Sequence, residues 1–78
     1  MMQAKRIHIE NQKYKEFREI CVGIDYVQWD DGSDGYIYFE ESINGNRAEA
    51  FYRTIEAALV EYDGADEYFQ MGSFREVE

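Results

Sequence analysis

The chain reads as one small α+β domain, an open sheet with two helices on one face in the order β-α-β-β-α-β. Three observations predict it. Aromatic and β-branched runs recur at 5–10, 24–29 and 36–40; apolar stripes at helical spacing occupy 14–21 and 48–62; and 78 residues leave room for a single core.

Lys5 to Glu10 alternate polar and apolar residues, with Ile7 and Ile9 on one face of a half-buried strand. Asn11 is placed to cap a helix carrying Tyr14, Phe17 and Ile20/Cys21 on one side, and Gly23 to end it. A strand through 13–22 is the alternative, giving the order β-β-β-α-β. Residues 24–29 and 36–40 flank Asp30, Asp31, Gly32, Ser33, Asp34 and Gly35, a dense group of turn formers, so the two runs make a β-hairpin. The second helix starts at Asn46, with Glu49 three residues on, close to a capping box. Its stripe of Ala48, Phe51, Ile55, Ala58/Leu59 and Tyr62 leads to a stop at Gly64. Tyr68, Phe69, Met71, Phe74 and Val77 mark a last strand within 67–77. In this element order the chain resembles ferredoxin-like domains.

Charge narrows the function. Seventeen Asp/Glu stand against eight Lys/Arg, a formal charge of −9. Residues 1–18 carry a net +3, while 19–78 carry 15 acids against Arg47, Arg53 and Arg75. Such a field repels phosphate backbones and attracts basic surfaces. The 17% aromatic content argues against disorder. One Cys precludes an internal disulfide, and no apolar run approaches the ~20 residues of a membrane span. The N-terminus lacks the apolar stretch of a secretion signal. The expected setting is cytoplasmic, that of the host cell for a phage-encoded protein.

Reactive constellations are missing from the pattern. Ser33, Ser42, Ser73 and Thr54 have only His8 as an imidazole base, and Cys21 lies on an apolar stripe. There is no Cys/His zinc set and no glycine-rich phosphate cradle. The expectation is a non-enzymatic domain without metal or cofactor.

Three resemblances bear on its partner. Ile7-His8-Ile9-Glu10-Asn11 and Asp34-Gly35-Tyr36-Ile37-Tyr38-Phe39 resemble the first- and third-strand patterns of RNA-recognition motifs. That resemblance implies His8, Tyr36 and Tyr38 as base-stacking residues on an open sheet face. Asp34 stands where that family has a cation. Residues 30–41 resemble an EF-hand calcium loop, implying Asp30, Asp34 and Glu41 as ligands and Gly35 as the turn, with Gly32 where a ligand is required. The third is to a class: very small, acidic, Tyr-rich, Pro-free domains resemble phage-encoded anti-CRISPR and anti-restriction inhibitors, several of which mimic nucleic acid. It implies an inhibitor that occupies the basic nucleic-acid-binding surface of a partner protein, without touching nucleic acid or membrane itself. Carboxylates can take the place of phosphates among Lys and Arg. The candidate surface joins Asp30, Asp31, Asp34, Glu40 and Glu41 to Glu61, Asp63, Asp66 and Glu67, with Tyr36, Tyr38 and Tyr68 as its apolar part. An open sheet face or edge strand also leaves room for a homodimer.

Overall fold

The computed structural model describes residues 4–71. Four strands, β1 (Arg6–Glu16), β2 (Ile20–Trp29), β3 (Asp34–Ser42) and β4 (Arg47–Tyr52), precede one helix, α1 (Ile55–Met71). The sheet is an antiparallel meander in the order β1-β2-β3-β4. This overturns both the β-α-β-β-α-β, ferredoxin-like order and its β-β-β-α-β alternative.

Each correction has a local cause. Residues 11–22, read as a helix, are the ends of β1 and β2 around a tight turn, closed by Phe17 N donating to the Ile20 carbonyl at 2.7 Å. Asn11 does not cap a helix. It sits at a register shift of β1, where its Nδ2 donates to the Lys13 and Ile24 carbonyls and to Asp25. Gly23 is mid-strand because the Phe39 ring lies across it; a Cβ there would come 2.5 Å from that ring and 2.6 Å from the Lys13 carbonyl oxygen.

The expected hairpin across 30–35 is present and longer than predicted. Its loop and the next one share a geometry. Trp29 N and Ser42 N donate to the Ser33 and Asn46 carbonyls, and Gly32 N and Gly45 N donate back to Trp29 and Ser42. Gly32 (φ 91°) and Gly45 (φ 94°) occupy the left-handed region that closes a three-residue loop. Asn44-Gly45 therefore turns the chain back into β4, where a helix starting at Asn46 was expected.

The helix begins at Thr54, whose Oγ1 accepts from Ala57 N at 3.2 Å. It continues through Gly64 and across 67–71, where the last strand was predicted; 72–77 of that strand lie outside the described residues.

Strand alternation sends Ile20, Val22, Ile24 and Tyr26, with Tyr36, Tyr38 and Tyr52, toward α1. There Val22, Ile24, Tyr38, Ala58, Ala65 and Phe69 form the buried core, flanked by Phe17, Ile55, Leu59 and Tyr62. Ala58 and Ala65 let the helix approach closely enough for the tyrosines to fill the layer. Lys15 straps β1 to the helix: its Nζ lies 2.8 Å from Asp66 and 4.0 Å above the Tyr62 ring.

Among the described residues no helix covers the other face, yet Val27, Ile37 and Phe39 are buried on it. Trp29 and Phe51 pack edge to face at 5.6 Å, and the Arg47 guanidinium lies 4.2 Å over Phe39. Aromatic rings and arginines make this second, thinner layer.

Candidate functional site

The outward side of α1 is the strongest candidate. Its 17 residues carry Glu56, Glu61, Asp63, Asp66 and Glu67 and no Lys or Arg. Only Asp66 meets a cation, Lys15; among the described residues the other four have no ion-pair partner. Glu67 borders the last turn of α1, where the helix dipole disfavours negative charge by about 0.3–1 kcal/mol. Asp66 is accounted for by its ion pair with Lys15; Asp63 and Glu67 have no such partner among the described residues.

A groove of about 390 Å³ runs between the helix and β3, lined by Tyr38, Glu40, Val60, Glu61, Gly64, Ala65 and Tyr68. Two buttressing tyrosines set its carboxylates. Tyr38 OH donates to Glu40 and Tyr52 OH to Glu61, each at 2.7 Å. Burial, then the Glu40 hydrogen bond, raises the Tyr38 hydroxyl; the bond to Glu61 is the main cause of the rise at Tyr52. Both hydroxyls stay protonated near neutrality and hold the carboxylates as fixed acceptors. Val60 is 73% exposed and Tyr68 68%.

The predicted acidic surface is divided. Glu40, Glu61 and Tyr68 gather at the groove, with Asp63, Asp66 and Glu67 further along the same helix. Asp30, Asp31 and Asp34 cluster at the β2–β3 loop, and the helix exit lies at the opposite end of the sheet, where Phe69 packs on Phe17. The nine residues of β3 span about 26 Å at ~3.3 Å per residue, the distance from the loop to the far end of the sheet, and even Glu40 lies six residues from Asp34.

The loop carboxylates also have structural duties. Asp30 accepts from Lys5 N at 3.0 Å and its own N donates to the Lys5 carbonyl, fastening the chain ahead of β1. Asp31 accepts from the hydroxyl and backbone N of Ser33, which hold its pKa below the ordinary value. Asp34 accepts from Tyr26 OH at 2.7 Å.

The other resemblances fare worse against the geometry. Tyr38 is buried beneath α1, Tyr36 packs against that core and on Tyr26, and His8 borders Tyr26 on the same covered side. The stacking residues implied by the RNA-recognition resemblance do not line the uncovered face. Residues 30–41 do not close on themselves either. Glu41 lies along β3 from Asp34 and pairs with Arg47 at 3.0 Å. Among the described residues no three His, Cys, Asp or Glu gather as a metal site. His8 pairs with Gln28 and Cys21 with Glu16, near opposite ends of β2, so imidazole and thiol do not meet.

Sequence reasoning missed the uncovered face. Glu49 accepts from Arg6 at 2.8 Å and from Arg47 Nε at 2.8 Å, and Arg47 also reaches Glu41 and Asp25. The Arg6 hydrogen bonds are the main reason the Glu49 carboxyl is lowered to about 2, with Arg47 assisting. Beside this lattice, Ala4, Arg6, Trp29, Ser33, Ile37, Glu49 and Phe51 border a shallow hollow of about 500 Å³. The two-residue alternation of Arg47, Glu49 and Phe51 with Ala48, Ala50 and Tyr52 was the signal that could have found it. Here the carboxylates are neutralised within the molecule. On the helix, Asp66 alone is so neutralised among the described residues.

The chain matches no family model, no curated protein and no solved structure. Among the described residues no helix is long and apolar enough to cross a membrane.

Proposed function

We propose that this protein is a non-enzymatic acidic interaction domain that occupies a basic, nucleic-acid-binding surface of a partner protein. This is the mode of the small phage-encoded anti-CRISPR and anti-restriction inhibitors that its composition resembles. One observation carries the reading: α1 presents five carboxylates and no cation, and four of the five have no ion pair within the described residues. A rigid anionic helix offers Lys and Arg side chains the charge they would meet on a phosphate backbone, and such a contact weakens with salt.

This reading puts the contact on the helix and its groove rather than on the β2–β3 loop, and the hydrogen bonds that engage Asp30, Asp31 and Asp34 within the fold support that choice. The test is capture from host lysate with the immobilised domain, followed by competition. The captured protein binds nucleic acid, the domain displaces it, and capture fades as salt rises. A captured partner that keeps its nucleic acid when saturated with the domain refutes the reading. Direct binding of single-stranded RNA by the domain at low salt does so as well, because it favours the RNA-recognition alternative.

A further inference from the structure

The groove between α1 and β3 has features that a generally acidic surface does not require. Glu40 comes from the sheet and Glu61 from the helix, and each is held by a tyrosine hydroxyl and by no cation among the described residues. Val60, Gly64 and Tyr68 follow one another at i, i+4 and i+8, so they form one stripe along the groove. Val60 and Tyr68 are largely exposed, an apolar surface left uncovered among the described residues. Tyr68 stacks edge-on against the buried Phe69 at 4.8 Å, which fixes its ring at the groove mouth.

Gly64 is the unexplained member. Glycine is the least favourable residue inside a helix apart from proline. The glycines within the strands make room for neighbours, Gly23 under Phe39 and Gly35 under Phe51, and Gly32 and Gly45 serve turns by their positive φ. A Cβ at Gly64 would meet nothing within 4 Å. No described neighbour requires the absence of a side chain at Gly64; a molecule lying across the helix at that point would.

Resting on the function proposed above, we infer that this groove is the anchor point of the contact. It seats an arginine or lysine side chain of a basic segment of the partner protein between Glu40 and Glu61, with the segment passing over Gly64 and against Val60 and Tyr68. Charge selects the occupant: two fixed carboxylates lack a counter-ion among the described residues, and the Tyr68 ring offers a face for a cation. A second copy of this chain is disfavoured there, because its own helix would bring like charge.

The test uses two capped peptides of glycine and arginine, one with arginine and one with neutral citrulline in its place. Both are titrated into isotope-labelled protein and followed by amide chemical shifts. The arginine peptide shifts residues 60–68 and Glu40, and the citrulline peptide does not. Gly64→Leu weakens binding at least about tenfold, equal to ~1.4 kcal/mol, without lowering the melting temperature; Glu40→Gln with Glu61→Gln has a comparable effect. Shifts centred on Asp30, Asp31 and Asp34 overturn the groove assignment and leave the acidic-domain reading standing. So does undiminished capture of the partner by Gly64→Leu. If the peptide produces no shifts while the lysate partner still binds in a salt-dependent way, the groove fails alone; if neither binds, both fail.

Discussion

Replacing Gly23 by Ala tests how the uncovered face of the sheet is held together. The new methyl would lie 2.5 and 2.8 Å from two carbons of the Phe39 ring and 2.6 Å from the Lys13 carbonyl oxygen. Carbon atoms in packed interiors sit at about 3.5–4.0 Å, so both neighbours must retreat by roughly 1 Å. The ring can tilt only by disturbing Arg47, whose guanidinium lies over it and is tied to Glu41 and Glu49. The carbonyl belongs to the strand paired with β2 through Tyr14↔Gly23, so moving it opens the β1–β2 ladder. Overpacking of this kind costs about 1–3 kcal/mol. In a domain of this size that lowers Tm by roughly 4–8 °C per kcal/mol. Urea unfolding followed by the fluorescence of Trp29 measures it. Adding Phe39→Ala removes one of the two clashes, so the double substitution is less destabilising than the sum of the singles by about 1 kcal/mol. Unchanged stability of Gly23→Ala, or strict additivity, refutes the packing argument.

Three further outcomes follow from the same structure. The Glu49 carboxyl lies at about 2 in the folded chain against an ordinary 4.5, so its contribution is complete above the unfolded value and is lost as pH falls through that window. Solvent access to the pair limits the effect to about 1 kcal/mol, and Glu49→Gln removes this component from the urea midpoint measured between pH 5 and pH 2. Phe69→Ala empties the end of the core where α1 meets Phe17 and costs about 3–5 kcal/mol by thermal or urea unfolding. Gly64→Ala gives the opposite sign, a gain of about 0.5–1 kcal/mol, because the helix interior has room for the methyl.

The parts of this fold that could be read in advance are those with a residue-level cause. Asp31-Gly32 announces the β2–β3 loop, and the apolar runs beside it are the central strands. Asn44-Gly45 carries the same signal and builds the same three-residue loop, but Ala48, Phe51 and Ile55 beyond it also fit a helical spacing, and that coincidence hid β4. The β1–β2 turn at 17–19 contains no Gly, Asn, Asp or Pro, and Tyr14, Phe17 and Ile20 mimic a helical stripe, so the hairpin looked like a helix. Gly64, a stop signal in the sequence, is mid-helix because the buried stripe resumes at Ala65 and Phe69. For the site, residue type and charge were legible and position was not. The acids of α1 stand out in any charge count. The engagement of Asp30, Asp31 and Asp34 by the fold, and the separation of the loop from the helix exit by the length of β3, depend on topology.

The central claim is that the α1 carboxylates without an ion pair among the described residues compete with nucleic acid for one basic surface. Displacement of nucleic acid from the captured partner, compared between the native chain and the triple variant Glu61→Gln, Asp63→Asn, Glu67→Gln, tests it most directly. The account predicts that the variant folds with essentially unchanged stability, since none of the three carboxylates has an ion-pair partner among the described residues, and that it no longer displaces the nucleic acid. Full displacement by the neutralised helix would contradict it.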